Sequence, residues 1–241
     1  MGKAIYEQLD ELYKAEWAKI SKDLEQYKDL ASMPFLPTTQ KVGGSSDESW
    51  WTDAKLRVMI FGRETGKNFN TPLSQVESDL LAEAGELYAQ WNDGVQQEDG
   101  ANGFFGAFRY FAKNLPQAAI MWNNLDLVAC AKENGSLSKK NQTAYDVQAK
   151  FSTAVLTKML ELLKPDVVIF LTSESRDGVI TRDFGTAGFA VLDERFGNDK
   201  LAWVKNFPVA KVAYRANHPV DGLSNDVKDA IIADIEENFK K

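Results

Sequence analysis

The segment DVVIFLTS, residues 166–173, limits the fold of this chain more than any other. Its apolar run from Val167 to Leu171 leaves no polar face, so a strand formed here has to be covered on both sides. Strands of this kind occur in parallel sheets whose two faces carry helices. The segment therefore predicts a central strand of an α/β sheet.

Strand and helix patterns alternate along the rest of the chain. This alternation predicts a three-layer α/β/α fold around a central, mostly parallel twisted sheet. Ser224 is the expected N-cap of the last helix. Further strands are predicted over 56–62, within 117–129, over 210–216 and, as short strands, in 189–196 and 201–207, and helices over 5–30, 74–92, 103–115, 144–163 and 224–239.

The N-terminal part differs from this core. Residues 5–30 repeat apolar side chains every three or four positions, which predicts one long amphipathic helix. The segment over 38–51 is rich in Gly and Ser and is typical of a loop. We therefore expect residues 1–50 to form a helical extension and linker packed on the core, and residues 51–241 to form the α/β domain.

Composition excludes several classes of protein. The net charge of −7 among 241 residues argues against broad attraction to a nucleic-acid backbone, which depends on clustered Lys and Arg. Cys130 and His218 are the only cysteine and histidine, so we expect no transition-metal site and no cofactor. No apolar run is long enough to cross a membrane, and we expect a cytoplasmic protein. The oligomeric state stays open.

Ligands of doubly wound sheets bind outside the carboxyl ends of the strands. Polar or glycine-rich segments follow three of the predicted strands, at 62–69, 123–126 and 217–223. For the strand over 166–173, we expect no polar site residue at its carboxyl end. We therefore expect the chemistry of this chain at those three places.

The first of these segments, GRETGK, tests a phosphate-binding hypothesis. A mononucleotide loop needs four residues between its glycines and a hydroxyl residue after the lysine, which binds Mg²⁺. Here Gly62 and Gly66 enclose three residues, and Asn68 stands where the hydroxyl belongs. Both differences affect the mechanism, so the sequence argues against a nucleoside-triphosphate site.

The other two segments carry an amide pair and the histidine. Asn123 and Asn124 either end their strand by bonding the backbone or read the edge of a heterocycle, because an amide offers both donors and an acceptor. His218 follows a strand on a loop stiffened by Pro219, a position that favours a site residue over a structural one.

Four motifs in order resemble the uracil-DNA glycosylase superfamily. They are FGRETG at 61–66, IMWN at 120–123, LKPDVVIFLTS at 163–173 and NHPVDGLS at 217–224. The family carries a G-Q-D-P-Y-like or related first motif, an Asn after its second strand and His-Pro-Ser after its last. The likeness covers roughly residues 55–240 and implies a glycosylase-like fold.

The resemblance also implies roles for individual residues. Glu64 stands where the family activates water, Asn123 where it reads the base and His218 where it stabilises charge on the departing base. Thr65 replaces the family's proline, and Val220 replaces its serine. The remaining residues expected to bind substrate are Gly62, Arg63, Thr65, Gly66, Phe69, Asn124, Asn217 and Pro219.

Other residues are weaker candidates for contacts with a flipped nucleotide. A base taken out of its stack needs an aromatic ring, which Phe69, or Phe104 and Phe105, could supply; the spacing of Phe104, Phe108 and Phe111 is that of a helix core. Leu223 is the candidate for an intercalating side chain. The basic residues that flank the motifs, candidates for phosphate contacts, are Arg63, Lys67 and Arg215.

Three functions follow as hypotheses. The first is hydrolysis of an N-glycosidic bond of uracil or a modified base, with nucleic acid or a nucleoside as partner. The second is an inactive binding module that keeps the cleft. The third is a protein-interaction domain that uses the amphipathic N-terminal helix.

Overall fold

The computed structural model describes residues 3–41, 45–64, 71–76, 79–97, 103–131 and 136–239. The helices are α1 (Ile5–Glu25), α2 (Ser49–Thr52), α3 (Leu80–Gln97), α4 (Gly103–Asn114), α5 (Gln142–Leu163), α6 (Asp177–Phe184), α7 (Gly197–Lys200) and α8 (Asn225–Phe239). The strands are β1 (Leu56–Glu64), β2 (Ala118–Asp126), β3 (Val167–Leu171), β4 (Phe189–Val191), β5 (Leu201–Val204) and β6 (Val212–Ala216).

All six strands form one sheet in the order β2-β1-β3-β6-β5-β4. β3 pairs in parallel with β1 on one side and with β6 on the other. β5 and β4 continue the sheet beyond β6 as antiparallel strands. The prediction of an α/β fold with parallel strands at the centre of its sheet is therefore confirmed.

The chain divides into two compact units. The first contains Met1–Glu48, Arg63–Asp93 and Asn123–Leu163, and the second contains Ser49–Gly62, Gly94–Trp122 and Lys164–Lys241. Most of the sheet thus belongs to the second unit. The predicted division into residues 1–50 and 51–241 stays a prediction.

The core of the second unit is built on β3, whose five residues are all fully buried. Phe170 stacks on Phe61 of β1 with ring centroids 5.2 Å apart, and both rings contact Phe184 of α6. Phe207 adds a further ring to Phe170 and Phe184. Apolar burial on this scale is the main stabilising contribution to folding.

In the first unit, α1 packs along α5. Trp17 meets Phe151 edge to face with ring centroids 5.4 Å apart. Glu16 is buried, and its carboxylate accepts hydrogen bonds from Lys19 at 2.6 Å and from Lys158 of α5 at 3.0 Å. The hydrogen bond from Lys19, together with the one from Lys158, lowers the pKa of Glu16.

Several predicted boundaries are wrong. α1 ends at Glu25, and the helix predicted from residue 74 begins at Leu80. Backbone hydrogen bonds instead join the preceding segment to the residues that follow α1: the Leu73 N–H donates to the Ala31 carbonyl at 3.0 Å and the Ser74 N–H donates to the Lys28 carbonyl at 3.1 Å. These tertiary contacts outweigh local helix propensity.

Helix α6 lies between residues 174 and 188, where the sequence predicts neither a helix nor a strand. Its intrinsic helix propensity is low, because Gly178, Thr181 and Asp183 are poor helix formers. Ile180 and Phe184 on its inner face are buried, so packing stabilises it.

Ser224 caps α8 as expected, because its Oγ accepts the Val227 N–H at 3.3 Å. No helix in the described part of the chain is long and apolar enough to span a bilayer.

Asp166 joins the amino ends of the three central strands. Its carboxylate accepts the Arg57 N–H at 3.0 Å and a hydrogen bond from Lys211 Nζ at 3.0 Å. Its own N–H donates to the Arg57 carbonyl at 2.8 Å, and its carbonyl accepts the Lys211 N–H at 3.1 Å. Burial opposes ionisation, but the hydrogen bonds and charges of Lys211 and Arg57 outweigh it, and the pKa of Asp166 is lowered.

We expect Asp166→Asn to lower the free energy of unfolding by about 1 to 3 kcal/mol at pH 7, measured by urea denaturation. Since the native pKa lies below the unfolded value of about 3.9, this stabilisation is complete above that value and is lost as the pH falls through the native pKa. The matched control is Asp23→Asn, at an exposed position of α1. Equal stabilities of the two variants would contradict the role of Asp166.

Candidate functional site

The carboxyl ends of β1, β3 and β6 lie at one edge of the sheet, because these neighbouring strands are parallel. Within the second unit this edge presents Gly62 of β1, Ser173 beyond β3 and the segment 217–222 beyond β6. Leu171 and Ala216 are paired in register, so the chain leaves β3 and β6 at the same level. This edge is the candidate functional site.

The segment after β6 is a short, tightly bonded loop, here called the His218 loop (217–222). Pro219–Asp221 forms a 3₁₀ turn with proline at its start, and Gly222 ends it at φ 90°. The Asp221 N–H donates to the His218 carbonyl at 2.8 Å, and the Asn217 side-chain amide donates to the Asp221 carbonyl at 3.4 Å. The loop is therefore held by its own backbone as well as by the sheet.

His218 caps this turn through its ring. Nδ1 accepts the Val220 N–H at 3.4 Å. A neutral imidazole has one donor and one acceptor nitrogen, so accepting at Nδ1 places the proton on Nε2. In this tautomer Nε2 is the nitrogen of the ring that carries the proton.

Ser173 connects the His218 loop to β3. Its Oγ accepts the His218 N–H at 2.8 Å and donates to Asp221 Oδ2 at 2.7 Å. Its own N–H donates to the Ala216 carbonyl at 3.0 Å. One nearly buried hydroxyl therefore fixes both ends of the 3₁₀ turn.

The backbone of Ser173 is strained. Its φ of 64° and ψ of 165° fall in a region that only glycine occupies readily. Strain of this kind costs about 1 to 3 kcal/mol and is concentrated at functional sites. The sequence interpretation that no polar residue follows this strand at the site is wrong. The signal in the sequence is the pair Thr172 and Ser173 directly after the apolar run.

The exposed apolar residue of the His218 loop is Val220. Its side chain is 75% exposed, whereas Leu223, the predicted intercalating residue, is half-buried. Because it is the most exposed apolar side chain of this hydrogen-bonded loop, Val220 is the apolar contact that the loop offers to a ligand or partner.

The glycine-flanked segment after β1 is described only in part. Arg63 and Glu64 are the last residues of β1, are half-buried and belong to the first unit. The predicted site residues Thr65, Gly66 and Phe69, and also Lys67, lie outside the described residues.

The two asparagines lie inside β2, which continues to Asp126, and not beyond its end as predicted. Both are buried in the first unit, where the Asn123 amide donates to Met159 Sδ at 3.4 Å and its Oδ1 accepts the Asn124 N–H at 2.8 Å. The Asn124 Nδ2 is buried without a hydrogen-bond partner. The side chain of Asn123 is therefore hydrogen-bonded within the protein, as expected if its role is structural and not the recognition of a heterocycle.

Arg215 does not provide the predicted phosphate contact, because its side chain is fully buried. Its guanidinium bonds both carboxylate oxygens of Asp177, at 2.9 and 3.2 Å, and the carbonyls of Asn198 and Asp199. Burial raises the pKa of Asp177 even though Arg215 opposes the shift. These four bonds use four of the five N–H groups of the guanidinium and join β6 to α6 and α7.

The aromatic residues of α4 divide between core and surface. Phe108 and Phe111 are fully buried, as their spacing predicted. Phe104 and Phe105 are half-buried, and their ring centroids lie 5.7 and 5.0 Å from that of Trp122. Helix α4 also packs against the 3₁₀ turn of the His218 loop.

Among the described residues, no group of three or more His, Cys, Asp and Glu side chains is arranged to hold a metal ion. A scan against models of known protein families and a search of curated proteins give no match to this chain.

The strain at Ser173 predicts an unusual order of stabilities. Ser173→Ala loses both side-chain hydrogen bonds and keeps the strained backbone, so we expect a loss of about 1 to 3 kcal/mol in urea denaturation. Ser173→Gly loses the same bonds but releases the strain, and we expect it to be more stable than the alanine variant by about 1 kcal/mol.

The matched control is Ser152, a buried serine of α5 with two side-chain hydrogen bonds. There the order should reverse, because glycine inside a helix is less stable than alanine by about 1 kcal/mol. The same order at both positions would contradict strain at Ser173.

Proposed function

We propose that this chain recognises a nucleobase, in a nucleoside or in nucleic acid, at the edge formed by the His218 loop, and that it hydrolyses the N-glycosidic bond. The proposal rests on the two hydrogen bonds that fix His218. Its Nδ1 accepts the Val220 N–H, and its own backbone N–H donates to Ser173 Oγ. A donor fixed in this way needs no reorganisation when charge develops on a ligand oxygen.

The chemistry requires little more than two polar groups. When water attacks C1′ of the sugar, the C1′–N bond breaks and its electron pair goes to the base, which becomes anionic. The Nε2–H of His218 is assigned to hydrogen-bond a carbonyl oxygen of that base, and Glu64 is assigned to orient the water and take its proton. These roles follow the resemblance of 61–66 and 217–224 to the glycosylase motifs.

Recognition without cleavage is the second candidate, and Val220 favours it. This residue stands where the resembling family has a phosphate-binding serine, and its exposed side chain offers an apolar contact in place of a hydroxyl. The His218 loop then binds the face of a base and contributes no phosphate contact.

Base release tests the enzymatic proposal. Purified chain is incubated with uridine, deoxyuridine and uracil-containing single- and double-stranded DNA and RNA, and free base is quantified by chromatography. We expect release by the wild type and a loss of about 100-fold or more in Glu64→Gln and in His218→Ala. Glu161→Gln, at an exposed position of α5, is the control and should match the wild type.

Calorimetric titration with uridine separates the two candidates. Binding that is weakened in His218→Ala, with no base released from any substrate, would establish recognition alone. Neither release nor binding by a folded wild-type chain would show that the proposal is wrong.

A further inference from the structure

The first unit contains a groove between α1, the segment 36–40 and α3. Its volume is about 540 Å³, within the range of roughly 300 to 1,000 Å³ that is typical of small-molecule sites. All residues that line it belong to the first unit. It is therefore separate from the His218 loop and plays no part in the function proposed above.

The floor of the groove is apolar. Leu9, Tyr13 and Leu36 line it and are almost completely buried. The Tyr13 hydroxyl donates to the Pro37 carbonyl at 2.8 Å, so its hydrogen-bonding capacity is used internally and its ring remains as a lining surface. Such a floor suits a hydrocarbon chain.

Gly85 keeps the α3 wall open. A Cβ atom added there would have no neighbouring heavy atom within 4 Å. Glycine inside a helix lowers stability by about 1 kcal/mol relative to alanine, so this position has a cost and no compensating close contact. Because Gly85 has no side chain, space for a ligand remains beside α3.

Both walls of the groove carry carboxylates. On α1, Asp10 is paired with Lys14 at 2.7 Å and Glu11 is paired with Lys3, so ammonium groups already bind this wall. Glu7 on α1 and Glu86 on α3 have no ion-pair partner among the described residues. Glu7 accepts the Ala4 N–H at 3.1 Å and a hydrogen bond from the Tyr6 side chain, and Glu86 accepts one from Gln90 at 3.0 Å. The sequence of α3 contains no Lys or Arg.

From this charge pattern and the apolar floor, we propose that the groove binds an aliphatic diamine or polyamine. Its hydrocarbon chain lies on the floor of Leu9, Tyr13 and Leu36, and its ammonium groups pair with Glu7 and Glu86. A compact metal ion does not fit as well, since no three carboxylates in the described part converge on one point.

The size of the groove favours a small amine over a basic protein segment. A stable protein interface buries about 800 Å² on each partner, which requires a longer apolar surface than three floor residues provide. The exposed pairs of α1 contribute little energy, about 0 to 1 kcal/mol each. A ligand amine can therefore join or replace Lys3 and Lys14 at low cost.

Isothermal titration of the full chain with spermidine tests the proposal. We expect saturable binding at one site, no binding of 1,8-octanediol, and no competition from Mg²⁺ at equal ionic strength. Competition by Mg²⁺ in proportion to its charge would show general attraction to an acidic surface and would overturn the proposal.

Gly85→Leu is the decisive variant. Leucine is the better helix former and fills the open wall, so we expect a stably folded chain that binds spermidine at least about tenfold more weakly. The control is Gly178→Leu on α6, another helical glycine with no heavy atom near an added Cβ, which should bind as the wild type does. Glu86→Gln should weaken binding about threefold to tenfold because it removes one ammonium partner.

Three further results would overturn the proposal. The first is the absence of saturable spermidine binding by the wild type. The second is unchanged binding in Gly85→Leu. The third is binding of an octalysine peptide, but not of spermidine, that Gly85→Leu abolishes, because this would identify the groove as a protein-docking surface.

Discussion

Burial of β3 on both faces is the constraint on which the second unit depends. All five residues of Val167–Leu171 are apolar and have no exposed surface, so the strand needs a neighbour on each side and a cover above and below. β1 and β6 supply the neighbours, and Asp166 bonds to both of them at the amino ends. Because the three strands are parallel, their carboxyl ends share one edge. The place where a ligand can be bound is thus a direct consequence of how the apolar run is covered.

The same burial explains why Ser173 can be strained. A residue at φ 64° and ψ 165° is retained only where its surroundings determine the backbone on both sides. On one side the chain is fixed by β3, and on the other side the Ser173 hydroxyl bonds both ends of the 3₁₀ turn. The stability of the sheet therefore compensates for a local cost at its edge. A local cost in stability beside a hydrogen-bonded histidine is the pattern expected where function opposes stability.

Features encoded in local pattern could be predicted from the sequence, and features that depend on tertiary contacts could not. The apolar run of β3 and the 3.6-residue spacing in α4 were sufficient, because period and polarity decide such elements. α6 was missed because its helix depends on burial of Ile180 and Phe184 and not on propensity. The sequence predicts an exposed Arg215, because nothing near it along the chain indicates that Asp177, 38 positions away, is its partner. Ser173 was passed over because backbone strain has no sequence signature in a serine.

Charge decides whether the site proposed at the His218 loop is better suited to a nucleoside or to a polymer of nucleotides. The segment Asn217–Gly222 contains no Lys or Arg and includes the carboxylate of Asp221, while Arg215 beside it is buried in an ion pair. Binding to a phosphate backbone gains most of its affinity from cations that displace counterions, and the chain as a whole has a net charge of −7. The contacts proposed for a neutral base, with the Nε2–H of His218 and with the apolar Val220, need none of these cations. Electrostatics therefore favour a nucleoside, or a base presented with few phosphate contacts, over an extended nucleic acid.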